Sequence, residues 1–180
     1  MTRNLIIFID SGDTLIDEAT QVYEGHEIVR ASFIPGGREF LLRLDRAGFT
    51  IALVADGQDQ DFLNVYADPT LKSCFDAWVV SETVGKQKPA PIMFEEAMRQ
   101  LSLADEDKRR IIMIGNNIRK DVRGANEFGI TSIWFNWSPR YFHTVEHPAE
   151  RSHYTTDDYD ALFSLIEELD ARAQAGEALS

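Results

Sequence analysis

The chain alternates between short apolar runs and longer amphipathic stretches. Each apolar run has four to six residues, which is the length of a strand buried on both faces of a sheet. The predicted strands cover residues 5–9, 50–54, 75–80, 111–114 and 131–135.

The stretches between these runs carry helical periodicity. In residues 37–48, apolar side chains recur at the spacing of one helix face, and Gly48 ends the pattern. Similar patterns predict helices at residues 62–66, 91–101, 121–128 and 159–169. Alternating strands and helices with short links favour an α/β fold. We expect a Rossmann-like three-layer sandwich, with a central parallel sheet of about five strands and helices on both faces.

Length and composition indicate one globular domain spanning residues 1–180. The chain is 44% apolar and 11% aromatic, and it is too short for two ordinary domains. The insert at 14–34 has room only for a loop or a helix or two. Residues 136–151 are predicted to form a loop, and residues 171–180 are predicted to form a frayed tail.

Charge and cysteine content narrow the environment. Acidic residues outnumber basic ones 30 to 18, for a net charge of −12, which disfavours nucleic acid and anionic membranes as partners. Cys74 is the only cysteine, so no internal disulfide forms, and this suits a reducing cytosol. Polar residues lead directly into the first strand without a signal-peptide pattern, so we expect a cytoplasmic protein.

The candidate chemistry follows the ends of the predicted strands. Asp10 ends the first strand, at the sheet edge where open α/β folds bind ligands. Lys88 lies in a proline-rich segment just before a helix, and Asn116 and Asp121 follow the fourth strand. A carboxylate nucleophile, a cation and oxygen ligands are the components of phosphoryl transfer.

Four motifs in this order resemble those of the haloacid dehalogenase (HAD) superfamily. They are Asp10-x-Gly12-Asp13-Thr14-Leu15, Leu53-Val54-Ala55-Asp56-Gly57, Lys88-Pro89-x-Pro91 and Gly115-Asn116-x-x-x-x-Asp121. The resemblance implies that Asp10 is a nucleophile that forms an aspartyl-phosphate or aspartyl-ester, and that Lys88 neutralises charge. It also implies Mg²⁺ as cofactor.

The same resemblance implies two further sets of residues. The phosphate-binding set is Ser11, Gly12, Ala55, Asp56 and Gly57. The metal-binding set is Asp10, the Gly12 carbonyl, Asn116 and Asp121.

Three positions depart from the pattern of the family's phosphatases. Gly12 replaces the Asp that acts as general acid/base, Ala55 replaces a hydroxyl residue, and Asn116 replaces an Asp ligand. Losing a general acid/base costs roughly 10²- to 10⁴-fold in rate. We therefore expect weak Mg²⁺ binding and low turnover, with Asp13 and Asp56 considered as substitutes for the missing acid.

Three functions remain open on this sequence. The first is a phosphatase acting on phosphate monoesters or acyl phosphates. The second is a pseudoenzyme that binds a phosphorylated ligand or a protein partner. The third is a metal-independent dehalogenase. It is disfavoured because the insert at 14–34 is too short for the large cap domain with which such relatives enclose a small haloacid. The short insert predicts an open site for a phosphorylated small molecule or macromolecule, or one that a protein partner or homodimer covers.

Overall fold

The computed structural model describes residues 3–180, which form eight strands. They are β1 (Ile6–Ile9), β2 (Ile16–Glu24), β3 (Glu27–Phe33), β4 (Thr50–Ala55), β5 (Ala77–Val80), β6 (Ile111–Gly115), β7 (Thr131–Phe135) and β8 (Tyr154–Thr156). Six of them build one parallel sheet in the order β5-β4-β1-β6-β7-β8. The predicted fold class is confirmed, and β8 is a sixth strand that the apolar pattern did not reveal.

Helices connect the strands. They are α1 (Gly37–Arg46), α2 (Asp59–Val65), α3 (Pro69–Lys72), α4 (Ser81–Val84), α5 (Ile92–Gln100), α6 (Arg123–Phe128) and α7 (Tyr159–Ala175). Two short 3₁₀ segments, Asp105–Arg110 and Pro148–Glu150, and one π-helical turn, Ile118–Val122, complete the described chain. No helix within residues 3–180 is long and apolar enough to cross a bilayer.

The sheet separates two hydrophobic cores because successive strand residues point to opposite faces. Ile7 and Ile9 of β1 join the core under α1 and α7. Ile6 and Phe8 join the core under α5 and α6. This is the three-layer arrangement that the alternating pattern predicted.

The insert at residues 14–34 differs from the expectation of a loop or helices. It forms an antiparallel hairpin in which β2 pairs with β3, from Ile16 opposite Phe33 to Glu24 opposite Glu27. Gly25 turns the chain at φ +64°. Most of the hairpin is exposed or half-buried, so its residues lack the apolar run that marks a central strand.

The tail was also predicted wrongly as a frayed end. Helix α7 continues to Ala175, and Leu179 is only 2% exposed. The Tyr154 hydroxyl donates a hydrogen bond of 2.6 Å to the Leu179 carbonyl. An apolar anchor and a buried hydrogen bond hold this end against the sheet.

Candidate active site

The site lies at the carboxyl edge of the three central strands. Asp10 directly follows β1, and its N–H donates to the Ile114 carbonyl of β6 at 2.9 Å. Lys88 reaches this edge from the loop before α5, and its Nζ lies 2.7 Å from Asp10 Oδ1. The two groups on which the sequence interpretation depends therefore face each other.

Lys88 is bound by oxygen atoms from the ends of β1 and β4 and from the π-helical turn after β6. Only 3% of it is exposed. Its ammonium also lies 2.6 Å from Asp121 Oδ1, and it donates to the Val54 carbonyl at 2.7 Å. These contacts fix the lysine between the predicted nucleophile and a predicted metal ligand.

The charges of this cluster do not balance. Burial raises the pKa of Asp10 to about 7, and the carboxylates of Asp121 and Asp56 add to this rise although Lys88 opposes it. Burial alone would lower the pKa of Lys88, but the carboxylate of Asp10, and after it those of Asp121 and Asp56, outweigh burial and hold that pKa above its ordinary value. The lysine stays charged, and the carboxylates around it carry more negative charge than it neutralises.

Asp121 depends on a glycine for its position. A Cβ at Gly115 would lie 2.3–2.5 Å from the Asp121 side chain, so only glycine permits this approach. Asp121 Oδ2 accepts the Asn117 N–H at 3.0 Å. Asn116 is also buried, and its Nδ2 has no hydrogen-bond partner among the described residues.

These residues fit a hard divalent cation. Asp10, Gly12, Asn116 and Asp121 line one cavity of about 80 Å³. Carboxylate, amide and carbonyl oxygens are the ligands that Mg²⁺ takes. Within residues 3–180 no three His, Cys, Asp or Glu side chains form a metal cluster. A cation here would be held by the Asp10 and Asp121 carboxylates together with the Asn116 amide and the Gly12 carbonyl.

The predicted phosphate-binding set is only partly assembled. Gly12 and Asp56 line the cavity. The Ser11 hydroxyl instead pairs with the Tyr66 hydroxyl at 2.9 Å, and the Gly57 N–H donates to Ser81 Oγ at 3.0 Å.

Ala55 also falls outside this cavity, because it is buried at the end of β4. Ser11 and Gly57 line a second cavity that shares Gly12 and Asp56 with the first. A phosphate-binding role for Ser11, Ala55 and Gly57 stays a prediction.

The cavity is also lined by four residues outside the predicted sets: Glu18, Asn117, Lys120 and Tyr141. Glu18 comes from β2, and its Oε2 accepts the Tyr141 hydroxyl at 2.6 Å. Burial raises the pKa of Glu18, against the opposing effect of the Tyr141 hydrogen bond. Glu18 lies in the segment predicted to form a loop or a helix or two, and Tyr141 lies in a predicted loop, so no local pattern marks either one.

Neither candidate substitute for the missing acid is free. Asp13 is fully buried, and Arg140 binds both of its oxygens at 2.6 and 3.0 Å. Asp56 accepts the Lys88 N–H at 3.0 Å and binds Lys120 Nζ at 2.8 Å.

A strand-end carboxylate beside a buried lysine at the carboxyl edge of a parallel sheet is the arrangement that the resemblance to the haloacid dehalogenase superfamily predicts. Residues 5–135 match the haloacid dehalogenase-like hydrolase family, and the chain belongs to that family.

Named relatives include several phosphatases. The chain is 28% identical over 104 residues to glyceraldehyde 3-phosphate phosphatase of Pyrococcus furiosus, which covers 58% of this chain and 42% of the relative. It is 30% identical over 105 residues to phosphoserine phosphatase of Thermus thermophilus, covering 58% of this chain and 41% of the relative. The match thus spans about two fifths of each relative's length.

Solved structures agree on the fold. A HAD phosphatase from Thermococcus onnurineus superposes with a TM-score of 0.72 at 14% identity, covering 90% of this chain and 97% of the other. A dehalogenase with an intermediate complex gives a TM-score of 0.71 at 15% identity, covering 92% and 99%.

Proposed function

We propose that this protein is a phosphatase that acts on phosphate monoesters or acyl phosphates through an aspartyl-phosphate on Asp10. The observation that carries the proposal is the 2.7 Å contact between Asp10 and Lys88 at the carboxyl edge of the sheet. The phosphatases among the relatives support the same class of reaction.

The proposed reaction has two displacements. An Asp10 oxygen attacks phosphorus, and the bond to the leaving oxygen breaks. Water then attacks phosphorus and releases phosphate and the Asp10 carboxylate. Lys88 offsets negative charge in both steps, and its contacts with Asp10 and Asp121 hold it in place.

Mg²⁺ completes the charge balance in this proposal. Asp10, Asp121, the Asn116 amide and the Gly12 carbonyl would hold the ion, which neutralises phosphoryl oxygens when bound. Asn116 contributes no formal charge where the family has a carboxylate, so we propose weak binding and low turnover.

The cavity is sized for the phosphoryl group alone. Its volume of about 80 Å³ is well below the roughly 300–1,000 Å³ of pockets that enclose whole ligands. The remainder of the substrate therefore extends outside it. This supports a bulky phosphorylated substrate, or a protein partner or second copy that covers the site.

Phosphate release from p-nitrophenyl phosphate tests the proposal. We expect turnover by the wild type with Mg²⁺, little with EDTA, and none above background for Asp10→Asn. The exposed Asp157→Asn serves as matched control and should retain full activity. Equal rates for wild type and Asp10→Asn would overturn the proposal.

The two alternatives predict different results in two further assays of the wild type and Asp10→Asn. The substitutions at Gly12, Ala55 and Asn116 favour a pseudoenzyme as second candidate. Thermal stabilisation by beryllofluoride without any Asp10-dependent turnover would support it. Asp10-dependent halide release from a 2-haloacid without Mg²⁺ would support a dehalogenase instead.

A further inference from the structure

A carboxyl group occupies the space that the absent side chain of residue 12 would fill. A Cβ built on Gly12 would lie 2.0 Å from Glu18 Oε1 and 2.9 Å from its carboxyl carbon. Side-chain atoms cannot approach this closely. Glycine at position 12 and glutamate at position 18 are thus sterically matched.

Two contacts hold Glu18 in this place. The Tyr141 hydroxyl donates to Oε2 at 2.6 Å, which leaves Oε1 on the side of Gly12. The Glu18 N–H donates to Asp13 Oδ1 at 3.1 Å, and Arg140 fixes that carboxylate in turn. The hairpin therefore presents a positioned carboxyl group to the cavity.

Glu18 also lies between two cavities at the carboxyl edge of the sheet. Together with Gly12 and Asp56 it lines both the cavity over Asp10 and a neighbouring cavity of about 80 Å³. The neighbouring cavity has apolar walls that include Ile16 and Phe62. A substrate with its phosphoryl group at Asp10 and its leaving group in the second cavity would bring the bridging oxygen close to Glu18.

We propose that Glu18 is the general acid/base of this enzyme and takes the role of the side chain missing at Gly12. This inference rests on the proposed phosphatase function. The carboxyl group is delivered from the hairpin and not from the turn that follows the nucleophile.

The proton follows a closed path. As Asp10 attacks and the phosphorus–oxygen bond breaks, the Glu18 carboxylic acid gives its proton to the leaving oxygen. The Glu18 carboxylate then accepts a proton from the water that attacks the aspartyl-phosphate. Release of phosphate and the Asp10 carboxylate leaves Glu18 protonated, as at the start.

Glu18→Gln tests this with two esters of different leaving groups. An alkyl phosphate, β-glycerophosphate, needs protonation of its leaving oxygen, whereas p-nitrophenyl phosphate needs little. We expect kcat/KM for the alkyl ester, which reports transfer of the phosphoryl group to Asp10, to fall by roughly 10²- to 10⁴-fold and kcat/KM for the aryl ester to fall much less. Glu24→Gln, at an exposed position of the same hairpin, should change neither.

A double variant distinguishes a catalytic role of Glu18 from a purely structural one. Gly12→Asp alone would collide with Glu18, but in the Glu18→Ala background the space is clear. We expect Gly12→Asp with Glu18→Ala to recover alkyl phosphatase activity that Glu18→Ala alone lacks.

Three outcomes would overturn the inference: an unchanged kcat/KM for the alkyl ester in Glu18→Gln, an equal loss of kcat/KM for both esters, or no recovery in the double variant. If Asp10→Asn abolishes aryl turnover in the same assays, the proposed function survives such a failure. If Asp10→Asn has no effect, the proposed function itself is wrong.

Discussion

At the scale of single residues, the site is defined by an excess of carboxylates around one ammonium. Asp10, Asp121 and Asp56 all raise the pKa of Lys88, and Lys120 pairs with Asp56. Three carboxylates surround Lys88 and Lys120 offsets the charge of one of them, so the cluster favours binding of a further cation. It is also costly to the free protein, since burying like charges is unfavourable.

This cost gives a prediction for stability against pH. The pKa of Asp10 rises from 3.8 to about 7 on folding, mainly through burial. Between these two pH values the folded state therefore keeps a proton on Asp10 that the unfolded state has lost. The contribution of Asp10 to the free energy of unfolding is fully present below pH 3.8 and is lost as the pH rises through 7. Asp10→Asn removes this dependence.

Thermal melting at two pH values measures the effect. We expect the melting temperature of Asp10→Asn minus that of wild type to be larger at pH 8 than at pH 5. The Asp157→Asn control should show no such difference. A gap that is larger at pH 5 would contradict the assigned direction of the shift.

At the scale of elements, the hairpin and the loop after β7 form one unit over the site. Arg140 of that loop binds the buried Asp13 and also Asp17 of β2. Tyr141 binds Glu18 of the same strand. Because two adjacent residues of the loop form an ion pair and a hydrogen bond with β2, the position of Glu18 depends on the loop.

We predict that Arg140→Ala destabilises the protein by about 1–3 kcal/mol, because it removes the main partner of a buried carboxylate. Urea unfolding measures this loss, with Arg30→Ala at an exposed hairpin position as the control. An unchanged unfolding midpoint would show that the Arg140–Asp13 pair contributes nothing.

The sequence predicts those helices and strands whose buried side chains recur at regular spacing along the chain. The β7 strand is predicted without error, and α1 within two residues, because each buries a regular set of apolar side chains. The hairpin is mostly solvent-facing and β8 has three residues, so neither produces a recognisable apolar pattern.

The residues of the site also fall into those that the sequence predicts and those that it does not. Asp10 and Lys88 could be predicted from motifs, because the parallel order of the strands brings the segments after them to the same edge of the sheet. Glu18 and Tyr141 meet across 123 residues, and only the fold brings them together.

At the scale of the whole molecule, the packing beneath the sheet determines where Lys88 is held. Gly124 of α6 packs against the segment that carries Lys88. A Cβ at this position would lie 2.8 Å from the ring of Phe94 and 3.2 Å from Pro89 Cα. Phe94 is fully buried and stacks on Phe128, so its ring has little space to move. The close approach of α6 to α5 therefore requires glycine.

Gly124→Ala tests this packing. In an exposed helix the change would stabilise by about 1 kcal/mol. Here we expect a net destabilisation of about 1–3 kcal/mol from overpacking, with reduced phosphatase activity because the loop carrying Lys88 shifts. A stabilised variant in urea unfolding would contradict this view of the core.

If Asp10 carries the phosphoryl group during turnover, mass spectrometry should detect it in protein that is quenched in acid while it turns over p-nitrophenyl phosphate. We predict a phosphoryl adduct on the peptide that contains Asp10, and no adduct in Asp10→Asn. Turnover with the adduct on another residue, or an unchanged adduct in Asp10→Asn, would contradict it.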